Sequence, residues 1–245
     1  MKKMQKSSEL LWLFGIIFVA LGVAICSKAD LGVSMVAAPA FVVFEAVEPL
    51  WGGFSVGMVE YVIQGLILVL LCVIIRKLNW RYLIAFLVAV IYGYTLNLFL
   101  WTLKGVNFNK VWLRWMMLIV GDMITAFGVA CFFKTYMPLQ VYELFVSETA
   151  KAFKVKISAM KSVFDISLLI LSVVLAFTLF GDVATFNWAT IYYKSFHSIG
   201  LGTLVTTVIN SPLISGCSKL LDKVFEPTAR FTKLERLLAI KESNK

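Results

Sequence analysis

The chain contains 245 residues, of which 60% are hydrophobic and only 15% are charged, and its formal net charge is +9. Soluble domains have about half of their residues apolar and about a quarter charged, so this composition excludes an ordinary soluble protein. In a membrane protein, an excess of positive charge first indicates how the chain is oriented in the bilayer. We therefore expect no nucleic-acid partner.

Six apolar runs are long enough to cross a bilayer, whose hydrocarbon core requires about 20 residues of helix. They cover residues 10–27, 56–75, 82–101, 113–133, 158–180 and 199–221. Because backbone groups cannot stay unpaired in lipid, all six are predicted to be helices. The predicted fold class is therefore all-α, a polytopic bundle of six transmembrane helices that occupies residues 1–225 as a single domain.

Lysine and arginine are divided unevenly between the two sides of this bundle. With the N-terminus in the cytoplasm, 18 of the 23 Lys and Arg residues fall on the inner side. Cytoplasmic loops carry such an excess, so we predict that both termini are cytoplasmic. Residues 226–245 combine basic and apolar side chains and are predicted to form an amphipathic tail on the inner leaflet.

The first span recurs later in the chain, at a shift of 106 positions. The shift places Gly15, Ala20, Gly22, Val23, Ala24 and Lys28 onto Gly121, Ala126, Gly128, Val129, Ala130 and Lys134. Three spans per copy is an odd number, so the second copy would enter the membrane from the opposite side. The halves, about 10–101 and 113–221, would then form an inverted repeat. Similar apolar composition is the alternative explanation, and the third spans do not align.

Each copy continues with a helical pattern that is too short to span. Residues 34–47 make about 21 Å of helix and carry no polar face, which indicates a buried, re-entrant half-helix. Residues 138–153 carry a polar stripe, so this second helix either lies at the interface or lines a wet cavity. The stripe consists of Gln140, Glu143, Ser147, Lys151 and Lys154.

Three short segments around the first half-helix form a recognisable pattern. They are Ala20-Leu21-Gly22-Val23-Ala24, Ala29-Asp30-Leu31-Gly32-Val33-Ser34 and the Gly/Ser-containing turn at residues 52–57. The pattern resembles that of the YczE/YitT-like bacterial membrane proteins, and the likeness extends to about Leu221. Such relatives often have Ser-Pro after the Leu-Gly, where this chain has Val33-Ser34-Met35. The resemblance implies a six-span protein of the bacterial inner membrane and no established biochemical activity.

The start of a half-helix exposes unpaired main-chain N–H groups and the positive end of the helix dipole, which together favour an anion. Ser34 is predicted as the N-cap of the first half-helix, and Pro138 as a first-turn residue of the second. Two such starts converging from opposite sides would form a midplane site for an anionic or polar solute, with Gly32 and Gln140 beside it. Alternatively, both turns only reverse the chain.

Polar and charged residues inside the spans supply the other candidate site residues. Asp122 lies in the middle of its span, where a carboxylate costs about 2.5 to 3.5 kcal/mol, and it is the strongest single candidate. Asp165 follows a lysine by four residues, a spacing that also suits a simple pair on the helix surface. Thr207 and Asn210 belong to a polar face of the sixth span. Glu60, near the outer end of the second span, is expected to reach the interface.

Several chemistries lack the residues that they need. The single histidine, His197, can build neither a histidine-based triad nor a multi-histidine metal site. The chain also has no phosphate-binding loop. We therefore expect no enzymatic activity, no cofactor and no metal.

Two functions remain open. The first is a carrier or exporter of a small anionic or polar solute. The second is a non-transporting membrane protein: a solute-binding subunit, or an assembly or sensory factor. The expected partners are the lipid bilayer, a small solute, and either another membrane protein or a second copy of this chain.

Overall fold

The computed structural model describes residues 4–76, 79–180 and 195–228. These residues form eight helices and two short strands. In chain order they are β1 (Met4–Ser7), α1 (Ser8–Lys28), α2 (Ala38–Val47), α3 (Val56–Ile75), α4 (Trp80–Thr102), α5 (Val111–Phe133), α6 (Val141–Phe153), α7 (Ile157–Phe180), α8 (Leu201–Val224) and β2 (Phe225–Thr228).

Six of these helices are long and apolar enough to cross a membrane: α1, α3, α4, α5, α7 and α8. They coincide with the six predicted spans to within a few residues, which confirms the six-span helical bundle. Their lipid-facing sides expose many leucine, valine and isoleucine side chains, as expected for helices whose outer surface contacts acyl chains rather than water.

The two remaining helices are the short ones, and both begin inside the protein. α2 has 10 residues and α6 has 13, so neither can cross the hydrocarbon core. The first half of α2 is buried, and most of α6 is buried around its circumference. A helix lying on the interface would expose one face, so α6 is a half-helix within the bundle.

Both half-helices begin later than predicted, at Ala38 instead of Ser34 and at Val141 instead of Pro138. Ser34 is not the N-cap of α2, because Ala37 holds that position and the Ser34 hydroxyl makes no capping bond but lies 3.8 Å from Met35 Sδ. Pro138 is not in the first turn of α6, because the backbone is still extended at Gln140.

The helix packing repeats with inverted symmetry. α1 packs against its counterpart α5 at the centre of the bundle. Around this pair, α2 packs on α7, and its counterpart α6 packs on α3. In the same way α1 packs on α4, and its counterpart α5 packs on α8. The fold is therefore an inverted repeat of α1–α4 and α5–α8, as predicted from the first spans.

Glycines allow the central pair of helices to approach at backbone distance. A Cβ atom on Gly22 would lie 2.5 Å from the carbonyl oxygen of Gly121, and one on Gly121 would lie 2.8 Å from that of Gly22. Gly15 and Gly128 form a second reciprocal pair, at 3.2 and 2.9 Å. Since Gly15 corresponds to Gly121 and Gly22 to Gly128, each contact is the symmetry mate of the other, as in an isologous interface.

A second glycine crossing joins α3 to α4. A Cβ atom on Gly93 would lie 2.6 Å from the carbonyl oxygen of Gly57. Asn97 of α4 links the two helices by hydrogen bonds. Its side-chain oxygen accepts from the Gly57 N–H at 2.9 Å, and its amide nitrogen donates to Ser55 Oγ at 2.8 Å. Its amide thus satisfies groups at the start of α3.

The two ends of the bundle meet on one face, which we call the N-terminal face; the other is the opposite face. There β1 and β2 pair in parallel, and Lys134 forms an ion pair with Asp222 at 2.8 Å. The strand pair was not predicted, because residues 226–228 were assigned to the tail. The rest of that predicted tail, residues 229–245, lies outside the described residues.

The glycine crossing predicts a specific stability difference. G22A should destabilise the protein by about 1 to 3 kcal/mol, because the added methyl meets backbone that cannot rotate away. G216A is the matched control in α8, where nothing lies within 4 Å of the added atom. Thermal unfolding of both variants in detergent measures the difference. Equal melting temperatures would mean that the α1–α5 crossing tolerates wider spacing.

Candidate functional site

A small cavity lies at the centre of the bundle, where the two half-helices begin. Its volume is about 20 Å³, enough for about one water molecule. Ser34, Val36 and Ala37 line it from the turn before α2, and Tyr142 and Glu143 from the first turn of α6. The other lining residues are Val23, Tyr92, Thr125, Val129, Lys161 and Asn210. The two starts therefore converge on one point, as the sequence predicts.

Five charged side chains are buried beside this cavity, and we call them the central ionic cluster. They are Glu60, Asp122, Glu143, Lys161 and Asp165, and none is more than 3% exposed. Four are acids and one is a base. Among the described residues, Lys161 is the single buried lysine or arginine. Full ionisation would leave a net charge of about −3 inside the bundle, a state that low-dielectric surroundings strongly disfavour.

Lys161 holds the positive charge of the cluster. Its Nζ atom lies 2.9 Å from an oxygen of Asp165, one turn further along α7. The predicted pair exists, but it is buried rather than on the helix surface, because α2, α6 and α8 all pack against α7. Lys161 also interacts electrostatically with Glu143 and Asp122. One ammonium group thus interacts electrostatically with three carboxylates.

Glu60 forms a separate branch of the cluster. It points into the protein and is fully buried, so the expectation that it reaches the interface is wrong. Tyr142 and Gln64 lie beside its carboxylate, yet neither of its oxygens has a hydrogen-bond partner of good geometry. The nearby charge that acts on it is that of Glu143, which repels it.

At both half-helix starts, some of the main-chain N–H groups are already bonded within the protein. Before α2, the Ala37 and Ala38 N–H groups bond to the Ser34 carbonyl, and Pro39 has no N–H. In α6, Glu143 is the third residue, and its carboxylate accepts from its own main-chain N–H. The protein's own acid therefore occupies the position in which an anionic ligand was predicted.

Four of the predicted site residues lie at or beside the cavity. Ser34 and Asn210 line it, and the side-chain oxygen of Asn210 has no hydrogen-bond partner. Asp122 and Asp165 belong to the central ionic cluster, and both are fully buried.

The other four predicted residues lie elsewhere. Thr207 donates its hydroxyl to the Thr203 carbonyl of its own helix at 2.7 Å and does not line the cavity. Gln140 is buried just before α6 but makes no capping bond. Gly32 and Pro138 line larger pockets towards the two faces. Sequence reasoning missed Glu60, Lys161 and Tyr142 as site residues, although acids and bases within spans were available as a signal.

Two larger pockets, which we call vestibules, open on the two faces of the bundle. The N-terminal vestibule measures about 690 Å³ and is lined by the α5–α6 connection, including Pro138. The opposite vestibule measures about 290 Å³ and is lined by the α1–α2 connection, including Gly32. Neither shares a lining residue with the central cavity. Each vestibule is thus lined by the connection that precedes one of the two half-helices.

Polar contacts hold each connection in place. In the α1–α2 connection, Asp30 pairs with Arg114 at 3.2 Å and accepts from Ser195 Oγ at 2.7 Å. In the α5–α6 connection, the Pro138 carbonyl accepts from Trp12 Nε1 at 2.9 Å. Each connection is therefore held by side chains from the other half of the repeat.

The family model of DUF6198, a family of unknown function, matches residues 6–219. The chain belongs to DUF6198. The match covers the whole central ionic cluster and both connections, so the site of this DUF6198 protein lies within the family region. No curated protein and no solved structure matches the chain.

The buried pair predicts an asymmetric response to mutation. K161M should cost about 3 to 5 kcal/mol of stability, because it leaves Asp165 buried without its cation. K161M/D165L should recover part of that loss, since it removes both charges. K151M tests the exposed Lys151–Glu148 pair and should change stability by at most about 1 kcal/mol. Thermal unfolding in detergent compares the three; a double variant no better than K161M would contradict this account.

Proposed function

We propose that this membrane protein is a secondary carrier that moves a small solute by alternating access, coupled to protons or cations through the central ionic cluster. One observation carries the proposal: four carboxylates and one lysine are buried inside a membrane bundle that also has a vestibule at each of its two faces. Ionisable groups inside a membrane bundle are costly, and carriers use them as relays and binding sites.

The excess negative charge of the central ionic cluster favours the binding of a proton or a cation. The sequence had suggested an anion as the ligand. Neutralising the cluster takes about three further positive charges, and protons or bound cations supply them. An anionic solute would add to the excess negative charge. A polar solute that moves together with protons remains compatible with the site, because protonated carboxyl groups donate hydrogen bonds.

The inverted repeat supplies a mechanism for changing access. Carriers built from inverted repeats alternate by rocking one half against the other around a fixed midplane site. Here the two connections occupy equivalent positions, and the N-terminal vestibule is the larger of the two, about 690 against 290 Å³. Exchanging the conformations of the halves would open the smaller vestibule and close the larger one.

The proposal places the carrier in the bacterial inner membrane with both termini in the cytoplasm, because of the lysine and arginine excess on the N-terminal side. The N-terminal vestibule would then face the cytoplasm. The likeness of the Gly22 to Gly57 region to YczE/YitT-like proteins supports this location. A non-transporting subunit is the competing function, and the following experiment separates the two.

Asp122 is predicted to be required for coupling. Its carboxylate lies within the cluster, close enough to Lys161 and Asp165 to interact electrostatically. D122N keeps the shape of the side chain and removes its charge, so it should fold and insert normally but lose solute-driven proton movement. D122L could even stabilise the bundle. The measurement uses proteoliposomes that contain a pH-sensitive dye. Small amines, carboxylates and sugars are added outside, and the change of internal pH is recorded for each solute.

D222N is the matched control, because Asp222 is an exposed acid in an ion pair at the N-terminal face. It should retain proton movement. If D122N fails to express and a second substitution, K161M, restores it, Asp122 has a structural role and the coupling role is wrong. If the wild type binds a solute but moves neither solute nor protons, the protein is a binding subunit.

A further inference from the structure

Glu60 lies apart from the lysine of the central ionic cluster. Its carboxyl group is fully buried, and in the part of the chain that the structure describes, the charge that acts on it is that of Glu143, which is negative. The carboxylates with which Lys161 interacts are those of Asp165, Glu143 and Asp122. A buried carboxyl group without a cation beside it is held as the neutral acid, because burial disfavours the charged form. The position of Glu60 therefore favours a bound proton.

Neutral groups from the packed helices lie around the Glu60 carboxyl group. Tyr142 of α6 and Gln64 of α3 are its hydrogen-bonding neighbours, and Tyr92 of α4 lies nearby. α2 also packs on α3, and its buried first half, residues 38–42, is apolar. Phenol and amide groups can hydrogen-bond to a neutral carboxyl group, and they bring no positive charge that would hold it ionised.

Tyr142 connects Glu60 with the central cavity. Its hydroxyl group lies beside the Glu60 carboxyl group, and its side chain lines the cavity, which Glu60 itself does not. Glu143 and Lys161 line the same cavity from α6 and α7. The two branches of the central ionic cluster therefore approach each other at this cavity, with Tyr142 between them.

The central cavity has the size and the lining that a single buried water molecule requires. Its volume is about 20 Å³, and about 10 to 15 Å³ is enough for one water. The Tyr142 hydroxyl, one oxygen of Glu143 and the side-chain oxygen of Asn210 have no hydrogen-bond partner of good geometry, and all three residues line the cavity. Buried waters typically make about three hydrogen bonds. One water would therefore satisfy these three groups together.

We propose that Glu60 holds the coupling proton of the carrier, and that Tyr142 and one water in the central cavity relay this proton between Glu143 and Glu60. The inference rests on the proposed function and deepens it by naming the proton as the coupling ion and by giving its route. In the step towards Glu60, the Tyr142 hydroxyl gives its proton to the Glu60 carboxylate, the water gives one to Tyr142, and the Glu143 carboxyl group gives one to the water. One proton thus moves from Glu143 to Glu60, while Tyr142 and the water are unchanged. The reverse step returns the proton to the branch that contains Lys161.

Infrared spectroscopy tests the protonation of Glu60 without any transport. Purified protein in detergent carries carbon-13 in its glutamate carboxyl groups, which separates their bands from those of aspartate. At neutral pH the wild type should show the carbonyl band of a protonated glutamic acid, and E60Q should lose it. E48Q is the matched control, because Glu48 is exposed at the end of α2, and it should keep the band. A band that is unchanged in E60Q overturns the proposal.

The relay is tested by the rate at which this carboxyl group exchanges its proton for a deuteron in heavy water. Y142F keeps the ring and removes the hydroxyl group, so the exchange should slow by about a hundredfold, the lower end of what a positioned proton donor contributes. N210L should also slow it, because it removes a hydrogen-bond partner of the water and alters no titratable group. Y94F is the control, since Tyr94 is 63% exposed on α4, and it should exchange at the wild-type rate.

Y142F and N210L decide the matter if E60Q does not fold, because exchange at the wild-type rate in both variants overturns the relay. The test can also fail independently of the proposed function. A lost band in E60Q and slow exchange in Y142F, in a protein that moves neither solute nor protons in proteoliposomes, would keep the proton site and reject the carrier. Solute-driven proton movement that persists in E60Q would keep the carrier and reject Glu60 as the residue that holds its proton.

Discussion

The close crossing of α1 and α5 determines how the rest of the bundle is arranged. Glycines at Gly22 and Gly121, and again at Gly15 and Gly128, let the two backbones approach without side chains between them. Because the two contacts are symmetry mates, they relate the halves of the chain by an approximate twofold axis. The axis brings α6 against α3 and α2 against α7. Both half-helices therefore start at the centre of the bundle, with polar residues of the neighbouring spans beside them.

That arrangement concentrates charge where a membrane protein can least easily solvate it. Each half-helix start lies beside polar residues of one span: Tyr142 beside Glu60 and Gln64 of α3, and the Ser34 turn across the cavity from Lys161 of α7. The two spans differ in net charge, since α7 carries an acid and a base whereas α3 carries an acid and a neutral amide. The fold is nearly symmetric, but its charge is not. In the carrier that we propose, this difference would couple the movement of a solute to that of a positive charge.

Much of the architecture could be predicted from the sequence, because spans and repeats leave one-dimensional signals. Apolar runs of about 20 residues identified the six helices, and the glycine spacing identified the repeat. The helix starts were placed too early, because the turn at Ser34 and the extended residues before Val141 carry the same apolar composition as a helix. Glu60 was misplaced because depth in a span does not reveal which side of the helix is covered. Only the packing of α6 on α3 shows that its carboxylate is buried.

The central claim is that the buried cavity communicates with each face of the membrane in turn. A single cysteine in place of Ser34, in a variant without the native cysteines, tests it most directly in proteoliposomes, because Ser34 lines the central cavity. A small charged thiol reagent should label this cysteine when added from either side, whereas a bulky maleimide should not. Labelling from one side only, or from neither, would contradict alternating access and indicate a static bundle.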